Sequence, residues 1–522
     1  LYGGSGSTTN NNTLNMYASG KNVTNLGGFE NYNFYLSNDF SPETDTAITV
    51  GSEFNINAGT KAAIALGSNT NVTYKDTVKL IADNGGTIDE SKITYDASAI
   101  KPEAGYTVIA EDKVKGKVED GNKYVVMYIG DSEKVVFGND SGTVPFPLGR
   151  SGDATLPDGS HASNGTLNID NASDVYFAAV GGATGEGSAN ENIVNITSGQ
   201  VGQTHDDALT QITVGGLTFA NGSVYGGYVQ SGDALQNAVN VNNVTIGKNI
   251  YGGYTQSGAV SQNAVSADNV TIGKGLYGGY TDSGDASSNR VTVANIQTNS
   301  AVYGGYTALG SSIGNSLTVS GSSTEIYGSV FGGRTENGDA SENIVTTNEG
   351  TILGRFFSVY GGYTDSGNAK NNKAVISGIN IIGSIYGGRS ISGSAFGNEV
   401  EMTVGEIGHY VYGGFTKTNE AFDNTVTIKG GSVDWSVSGG ESNSGAVISN
   451  KVTIAGGNIS NTVFGGHSIS GSATSNEVTI SGGTIGFNVY GGHSVYGDSA
   501  GNAVTLKGGK INGNVAGGYS KN

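Results

Sequence analysis

The stretch Val224-Tyr-Gly-Gly-Tyr228 decides the fold, because the chain returns to this motif at a nearly constant interval. Successive copies are separated by 26 residues, except for one spacing of 28 and one of 29. A fixed period of this length is the sequence signature of a stacked-repeat architecture. The residues that precede Gly-Gly are Tyr225, Tyr251, Tyr277, Tyr303, Phe331, Tyr360, Tyr386, Tyr412, Ser438, Phe464, Tyr490 and Ala516.

Two aliphatic columns accompany the motif and predict an interior. The residue before each first member is always aliphatic: Val224, Ile250, Leu276, Val302, Val330, Val359, Ile385, Val411, Val437, Val463, Val489 and Val515. Five residues before the first member, most copies carry a second aliphatic residue: Ile246, Ile272, Ile381, Ile407, Val433, Ile459 and Ile485. Both columns are expected to face inward.

An asparagine column completes each repeat, twelve residues after the first member of the motif. Its members are Asn237, Asn263, Asn289, Asn315, Asn343, Asn372, Asn398, Asn424, Asn450, Asn476 and Asn502, with Asn192 in an earlier copy. In Asn424-Thr-Val-Thr-Ile428, alternation places Asn, Val and Ile on one face of a strand. We therefore expect buried amides that hydrogen-bond from coil to coil and to turn backbone, as buried polar groups require.

These patterns predict an all-β fold, a parallel β-helix with ~26-residue coils. Each period supplies three short strands, with turns at the first Gly-Gly, at a Ser-Gly or Gly-Asp step, and at the second Gly-Gly. Such strands bury a face only when coils stack at strand spacing. A propeller blade needs ~40 residues and four strands, and the calcium-binding nonapeptide roll needs a nine-residue period that is absent. Disorder, which the Gly- and Ser-rich composition permits, conflicts with the regular aliphatic columns.

The pattern divides the chain into three parts. Residues 1–28 read as one coil, 29–175 as an irregular β-rich subdomain inserted near the N-terminus, and 176–522 as the regular β-helix. The middle part holds all five prolines, and its Gly- and Pro-rich stretch 138–165 predicts a long exposed loop. Strands are expected there at Thr46–Val50, Thr77–Ile81, Tyr106–Ala110 and Lys123–Tyr128.

Composition excludes several functions. The net charge is −19 without a basic run, which disfavours nucleic acid and anionic membrane surfaces as partners. Cysteine is absent, so disulfides, Cys-based zinc sites and thiol catalysis are excluded. No signal peptide or long apolar run is present, and both ends fall inside a repeat motif. We expect the sequence to be a piece of a longer protein.

The motifs resemble those of a known group. Tandem Val-Tyr-Gly-Gly-Tyr, Ser-Gly-Asp-Ala, Asn-X-Val-Thr-Ile and Gly-Gly-X-Ile look like the passenger domains of large autotransporter (type V secreted) adhesins of Gram-negative bacteria. The segment Tyr32–Leu36, followed by Asp45–Val50 and Lys75–Ile81, is also similar to such passengers. The resemblance implies a right-handed β-helix, secretion through a C-terminal outer-membrane barrel, display on the cell surface, and adhesion. It supplies no binding residues, because its motifs are structural.

The best repeat-borne binding candidates form a column three residues after each first member. This column mixes aromatic with charged residues, so we expect it to be exposed, as flat rings with hydroxyl rims suited to sugars or protein surfaces. The binding residues predicted are Tyr228, Tyr254, Tyr280, Tyr306 and Tyr363. The alternative is that ring stacking only stabilises the coils. The other members are Arg334, Arg389, Phe415, Glu441, His467, His493 and Tyr519.

No cofactor and no metal site are predicted. His467 and His493 lie in adjacent coils but lack a third ligand in register. Acids in Gly-Asp turns normally hydrogen-bond backbone, although a calcium column remains an open alternative; these acids are Asp233, Asp285, Asp339 and Asp498. A catalytic β-helix would group Asp, Glu, Lys or Arg on one strand face, and we expect no such group on consecutive coils.

Three functional hypotheses follow. The first is a non-enzymatic, monomeric adhesin fragment at the cell surface that contacts a host or bacterial surface protein or glycan. The second is a structural spacer whose binding tip lies elsewhere in the parent chain. The third is a glycan-degrading β-helix enzyme.

Overall fold

The structure is a computed structural model of the 522-residue chain. It describes residues 11–521 except 18, 38, 43, 69–71, 73–76, 110–113, 120–123, 130–133, 140–141, 148–162, 170–174, 176, 203–210, 215–216 and 353–356. Two compact units are present, Leu1–Lys134 with Phe146–Ala154, and Val135–Pro145 with Thr155–Asn522. No helix in the described residues is long and apolar enough to cross a membrane.

The first unit contains two sheets whose strands are mainly parallel. Asn31–Leu36 lies between Thr13–Met16 and Thr60–Gly67 in one sheet, and pairs with both in parallel. In the other sheet, Thr46–Asn55 lies between Lys21–Gly27 and Thr77–Asp83. The buried core of this unit includes Tyr32, Phe34, Ile48, Ile64 and Leu80. The remaining strands are Ile93–Tyr95, Tyr106–Val108, Val114–Glu119 and Tyr124–Ile129, and Glu90–Lys92 and Ala97–Ala99 are 3-10 turns.

Strands are present at all four places where the sequence pattern predicts them between residues 46 and 128. Within the predicted loop 138–165, Gly142–Pro147 is a strand, and residues 148–162 lie outside the described residues. The first copy of the repeat motif, at residues 2–4, also lies outside them.

The second unit is a parallel β-helix, which confirms the predicted fold. Each strand pairs in parallel with its equivalent in the next coil; Val411 lies opposite Val437, and Thr425 lies opposite Lys451. A typical coil carries four strands rather than the predicted three: Val411–Thr416, Ala421–Phe422, Thr425–Ile428 and Ser432–Val433. The first Gly-Gly lies inside the long strand and not in a turn, so that part of the prediction is wrong.

Equivalent strands stack into four columns. The long strands are Ala178–Glu186, Ser223–Ser231, Ile250–Ser257, Leu276–Thr281, Val302–Thr307, Val330–Thr335, Val359–Thr364, Ile385–Ser390, Val411–Thr416, Val437–Ser442, Val463–Ser468, Val489–Ser494 and Val515–Ser520. The two-residue strands are Ala189–Asn190, Ala234–Leu235, Val260–Ser261, Ala286–Ser287, Ser312–Ile313, Ala340–Ser341, Ala369–Lys370, Ala395–Phe396, Ala421–Phe422, Val447–Ile448, Ala473–Thr474 and Ser499–Ala500.

The other two columns follow the asparagines. The strands after each Asn are Ile193–Ile196, Ala238–Asn242, Ala264–Asp268, Arg290–Ala294, Ser316–Ser320, Ile344–Thr347, Lys373–Ile381, Glu399–Ile407, Thr425–Ile428, Lys451–Ile454, Glu477–Ile480 and Ala503–Leu506. The closing strands are Gly199–Val201, Val244–Ile246, Thr271–Ile272, Gln297–Thr298, Glu325–Ile326, Gly350–Ile352, Ser432–Val433, Asn458–Ile459, Thr484–Ile485 and Lys510–Ile511. Outside the columns lie Lys134–Asn139, Gly142–Pro147, Thr166–Ile169, Gln211–Val214 and Leu217–Ala220.

The predicted aliphatic columns form the core. From Val224 to Val489 every member of the first column is buried, and every member of the second is buried too. Only Val515, in the last coil, is exposed. A fully buried aliphatic side chain contributes about 1.5–3 kcal/mol, so the two columns supply much of the stability of each coil.

The asparagine column is buried from Asn192 to Asn476, as predicted, and Asn502 in the last coil is half-buried. In coil after coil, the side-chain amide donates to the next Asn and to the first carbonyl of a two-residue strand, where the sequence predicts turn backbone. Asn424 Nδ2 lies 2.9 Å from Asn450 Oδ1 and 2.8 Å from the carbonyl oxygen of Ala395. Its Oδ1 accepts from the backbone N–H of Asn398 at 3.0 Å and from Asn398 Nδ2 at 2.9 Å. The side-chain oxygen and nitrogen of Asn424 are therefore both paired within the interior, as buried polar groups require.

Candidate functional site

The long strand of each coil carries two outward-facing side chains, because Gly-Gly interrupts the alternation of side chains between the two faces of the strand. In the pairing of adjacent coils, Tyr225 lies opposite Tyr251 and Tyr228 lies opposite Tyr254, while the first glycine is passed over. A Cβ on Gly227 would lie 2.5 Å from the amide of Asn237, and one on Gly226 would lie 2.3 Å from the carbonyl oxygen of Gly252. Both positions thus exclude any side chain, and two tyrosines three residues apart emerge on the same face.

Stacked rings form two ladders on this face. The first ladder consists of the residues before Gly-Gly, and the second of the residues after it. In the first ladder, the ring centroid of Tyr303 lies 4.8 Å from that of Tyr277 and 5.0 Å from that of Phe331, with planes within 4° of parallel. In the second, Tyr254 and Tyr280 stack at 5.2 Å. The ladders meet edge to face, so each ring has neighbours on several sides.

This geometry corrects the predicted exposure of the second ladder. Tyr228 is only 2% exposed, and Tyr254, Tyr280, Tyr306 and Tyr363 are half-buried. The ring faces lie against neighbouring coils, so solvent meets ring edges and hydroxyl groups. The ladder therefore does not offer the flat apolar faces that the sequence predicts. Its accessible part is a hydrogen-bonding surface.

Carboxylates accept hydrogen bonds from the tyrosine hydroxyls of the second ladder. Tyr280 Oη lies 2.9 Å from Asp282 Oδ1, and Tyr363 Oη lies 2.8 Å from Asp365 Oδ1. Tyr306 makes the same kind of bond to Glu336 across one coil, at 2.7 Å. Burial, and then Asp365, raises the pKa of Tyr363 to about 12. The hydroxyls are therefore protonated at neutral pH and remain donors.

Two arginines replace tyrosines in the second ladder and keep it continuous. The Arg334 guanidinium carbon lies 5.7 Å from the ring centroid of Tyr306 and 5.4 Å from that of Tyr363. Arg389 lies 5.5 Å from Tyr363 on its other side. Cation–π contacts of this kind are worth about 0.5–2 kcal/mol each, so the arginines stabilise the stack. They also place positive charge beside the row of carboxylates.

A hairpin covers the start of both ladders. Its strands are Gln211–Val214 and Leu217–Ala220, paired antiparallel. Phe219 packs on Tyr228 with ring centroids 4.7 Å apart, and Tyr228 Oη donates to the carbonyl oxygen of Thr218 at 3.0 Å. The hairpin explains why Tyr228 is buried.

A recess of about 440 Å³ opens where the hairpin meets the ladders. Its lining combines tyrosines of both ladders with hairpin residues and two long polar side chains: Tyr225, Tyr228, Tyr251, Tyr254, Gln211, Thr218, Ala220, Lys248 and Gln256. The volume falls in the range of small-ligand sites, about 300–1,000 Å³.

The two histidines do lie side by side, with ring centroids 5.0 Å apart. His467 Nδ1 lies 3.3 Å from Glu441 Oε2. Burial, and then His467, lowers the pKa of His493 to about 4. Among the described residues, no group of three or more His, Cys, Asp or Glu side chains is placed to hold a metal ion.

Three acids of the Gly-Asp turns, Asp233, Asp285 and Asp339, accept hydrogen bonds from the backbone of the following coil. Asp233 Oδ1 accepts from the backbone N–H of Ala259 at 2.8 Å, and Asp285 and Asp339 accept in the same way from the backbone N–H groups of Ser311 and Asn368 in the following coil. Asn368 takes this role where Asp is absent, accepting from Ser394 at 3.0 Å. The exchange of Asp for Asn between coils suits a hydrogen-bond acceptor role.

A charged row on the asparagine strands corrects another expectation. Lys373 Nζ lies 2.9 Å from Glu399 and 3.6 Å from Glu401, which also pairs with Lys429. The hydrogen bond from Lys429 holds the pKa of Glu401 below its usual value. A general acid needs a carboxyl with a raised pKa, whereas these charges neutralise one another. We interpret the row as surface ion pairs of modest stabilising value.

Sequence reasoning did not foresee the first ladder as a partner of the second, nor the recess. The sequence does contain evidence for the first ladder, because the residue that precedes Gly-Gly is aromatic in ten of the twelve copies. The recess depends on a hairpin that lies outside the repeat, so the periodicity of the sequence does not predict it.

The chain matches no protein-family model, no curated protein and no solved structure. Its function is therefore inferred from its own surface.

Proposed function

We propose that this chain is part of a bacterial cell-surface adhesin, a rigid β-helical passenger that attaches to a host or bacterial surface protein or glycan. The observation that carries the proposal is the ladder face. Tyrosine hydroxyls, carboxylates and two arginines form a continuous hydrogen-bonding surface from Tyr254 to Arg389. Arrays of hydrogen-bond donors and acceptors of this kind recognise polar partners such as sugars and the polar rims of protein interfaces.

Rigidity supports the same proposal. The coils are joined by parallel ladders and by the buried amide column. Side chains on the face are held by stacking, so little conformational entropy is lost when a partner binds. The net charge of −19 argues against nucleic acid as that partner.

The decisive experiment measures binding of the whole chain to cells and to a glycan array at micromolar concentration. A triple variant, Asp282→Asn, Glu336→Gln and Asp365→Asn, removes the carboxylates of the ladder face and should weaken binding at least about 10-fold, since each lost charged hydrogen bond is worth about 1.5–3 kcal/mol. The matched control removes three carboxylates on another face: Glu399→Gln, Glu401→Gln and Glu477→Gln. Equal loss in both variants would contradict the ladder face as the contact surface.

The alternative is a structural spacer, and the packing of rings against rings favours it. Absence of any binding by the wild-type chain at micromolar concentration would support the spacer. An enzyme would instead release shortened oligosaccharides from a polysaccharide, and detection of such products would overturn the non-enzymatic proposal.

A further inference from the structure

The first ladder is interrupted in the coil that begins at Val437. From Tyr225 to Tyr412 its rings stack at 4.8–5.1 Å, but the next residue in register is Ser438. Phe464 follows in the coil after that. Within residues 357–521, all of which the structure describes, Phe464 contacts only rings of its own coil and the next one. We call this interruption the ladder break.

Two aromatic side chains of the preceding turns border the ladder break. Tyr410 stacks on Tyr412 with ring centroids 5.5 Å apart, and Trp435 lies 5.5 Å from Tyr410 with its plane inclined by 45°. Trp435 is 47% exposed, and Tyr410 is the only ring that it contacts within residues 357–521. A large part of the indole is therefore open to a partner.

The turn that carries Trp435 also bears exposed apolar side chains in other coils. These are Phe357, Ile382 and Phe487, which are 37%, 41% and 55% exposed. A row of exposed apolar side chains on a protein surface marks an interaction site. Trp435 is the member of this row that lies beside the ladder break.

Negative charge lies next to these rings. Glu441 occupies the second-ladder position of the coil that contains Ser438, and its carboxylate is 3.3 Å from His467 Nδ1. Burial, and then Glu441, raises the pKa of Tyr410, so the charge of this carboxylate is felt at the ladder break. Asp434, which is exposed, directly precedes Trp435. Aromatic faces and carboxylates both attract cations.

The second ladder shows which cation suits such a surface. The guanidinium carbon of Arg389 lies 5.2 Å from the ring centroid of Tyr386 and 5.4 Å from that of Phe415. Arg334 stands in the same ladder with Asp365 Oδ2 at 3.9 Å from its Nη2. A planar guanidinium stacks on aromatic rings and pairs with carboxylates through its fork of N–H donors. Arginine therefore matches both the rings and the charge of the ladder break.

We propose that the ladder break binds an arginine side chain of a partner protein, with the guanidinium stacked on Trp435 and paired with Glu441. Asp434 adds negative charge at the exposed edge of the same site. The net charge of −19 favours the approach of a basic partner. The site lies beyond Arg389, outside the surface proposed above for adhesion, and does not depend on that function.

Trp435 provides the test, because it is the only tryptophan in the chain and its fluorescence reports on this site alone. The full chain is titrated with the acetylated and amidated peptide Gly-Ser-Arg-Ser-Gly, and with the same peptide carrying citrulline or lysine in place of arginine. The arginine peptide should change the fluorescence saturably. Citrulline has nearly the same shape without the charge, so its peptide should bind at least about 10-fold more weakly. The lysine peptide, which lacks the planar fork, should also bind more weakly.

Three variants, each checked for folding by circular dichroism, locate the binding. Glu441→Gln keeps the shape of the side chain and should weaken the arginine peptide at least about 10-fold. Ser438→Tyr places a ring in the ladder break, as in most coils, and should abolish the fluorescence change. The matched control, Glu420→Gln, removes an exposed carboxylate beside the two-residue strand Ala421–Phe422 and should bind as wild type does.

The inference would be overturned by a fluorescence that the arginine peptide leaves unchanged, by equal binding of the citrulline or lysine peptide, or by wild-type affinity in Glu441→Gln or Ser438→Tyr. Tighter binding of choline chloride than of the arginine peptide would identify a quaternary ammonium site and would also overturn it. The titration involves no cells, so its failure would leave the adhesin proposal standing, and absence of cell attachment would leave the arginine site standing.

Discussion

Each residue of Val224–Tyr228 has a different physical task. Val224 is buried in the core, and Tyr225 and Tyr228 join the two outer ladders. The two glycines make room for the amide column beneath them, since any Cβ there would overlap Asn237 or the next coil. The motif thus contributes to the core, to the space that the amide column occupies and to the surface ladders.

Asn424 tests the amide column. Asn424→Leu removes the acceptor of the Asn398 backbone N–H and one donor to Asn450. Each buried group left unpaired costs about 1–3 kcal/mol, so the free energy of unfolding should fall by at least this amount. Denaturant unfolding, with hydrogen exchange of the neighbouring coils, measures the change.

Lys417→Ala is the control for this variant, because Lys417 is an exposed residue of the same coil. It should change stability by less than about 0.5 kcal/mol. A neutral Asn424→Leu would contradict the role of the amide column.

His493 makes the last coils sensitive to acid. Its folded-state pKa of about 4 lies below the ordinary value of 6.5, so the unfolded chain binds more protons between these values. Stability is therefore lost as the pH falls from about 6.5 to about 4. Because the side chain is half-buried, we expect a loss on the order of 1–2 kcal/mol after allowance for solvent screening.

The rings packed around His493 are those of Phe464, His467, Tyr490 and Tyr519. The variant His493→Tyr keeps the stack, because tyrosine occupies this column in other coils, and it should reduce the acid sensitivity. Thermal unfolding at pH 7 and pH 4.5 checks this. Identical pH dependence in the two proteins would show that His493 is not the group responsible.

At the scale of elements, the aromatic ladder acts as a continuous column. Tyr303→Ala would leave a gap between Tyr277 and Phe331, which now contact the same ring from two sides. The expected loss is about 3 kcal/mol, typical of a buried aromatic truncation. Hydrogen exchange should rise in the coils on both sides of the gap.

Tyr496→Ala offers a contrast, because Tyr496 is 65% exposed and lies outside the ladders. It should leave stability within about 0.5 kcal/mol of wild type. If Tyr303→Ala changed stability as little as Tyr496→Ala, the aromatic ladder would have no stabilising role.

At the scale of the second unit, coils are interchangeable because each contacts chiefly its neighbours. Deleting Val437–Thr462 removes one whole coil and brings Tyr412 next to Phe464. This deletion should preserve the circular dichroism spectrum and the melting temperature within about 5 °C. Deleting 437–449 instead removes half a coil and should prevent folding of the region that follows. Similar behaviour of the two deletions would contradict the stacked-coil description.

Sequence alone determined the period, the parallel β-helix, the aliphatic core and the buried amide column, because each depends on residues that recur at one place in every coil. Val411 and Asn424 could be assigned inward from periodicity and alternation alone. The physical reason is that stacking coils in register turns one sequence position into one structural column.

Only the tertiary structure decided which ring surfaces solvent can reach. The ring faces of the second ladder are covered by neighbouring coils, which alternation within one strand does not reveal. The tertiary structure also shows that the residue before each Asn of the column has a left-handed backbone conformation, such as Gln236 with φ of 56° and Asp423 with φ of 55°. Gln, Ser, Asp and Gly all occur at this position, so the residue type does not predict the conformation. The recess depends on a non-repeating hairpin folded onto the ladders, and such long-range contacts leave no period in the sequence.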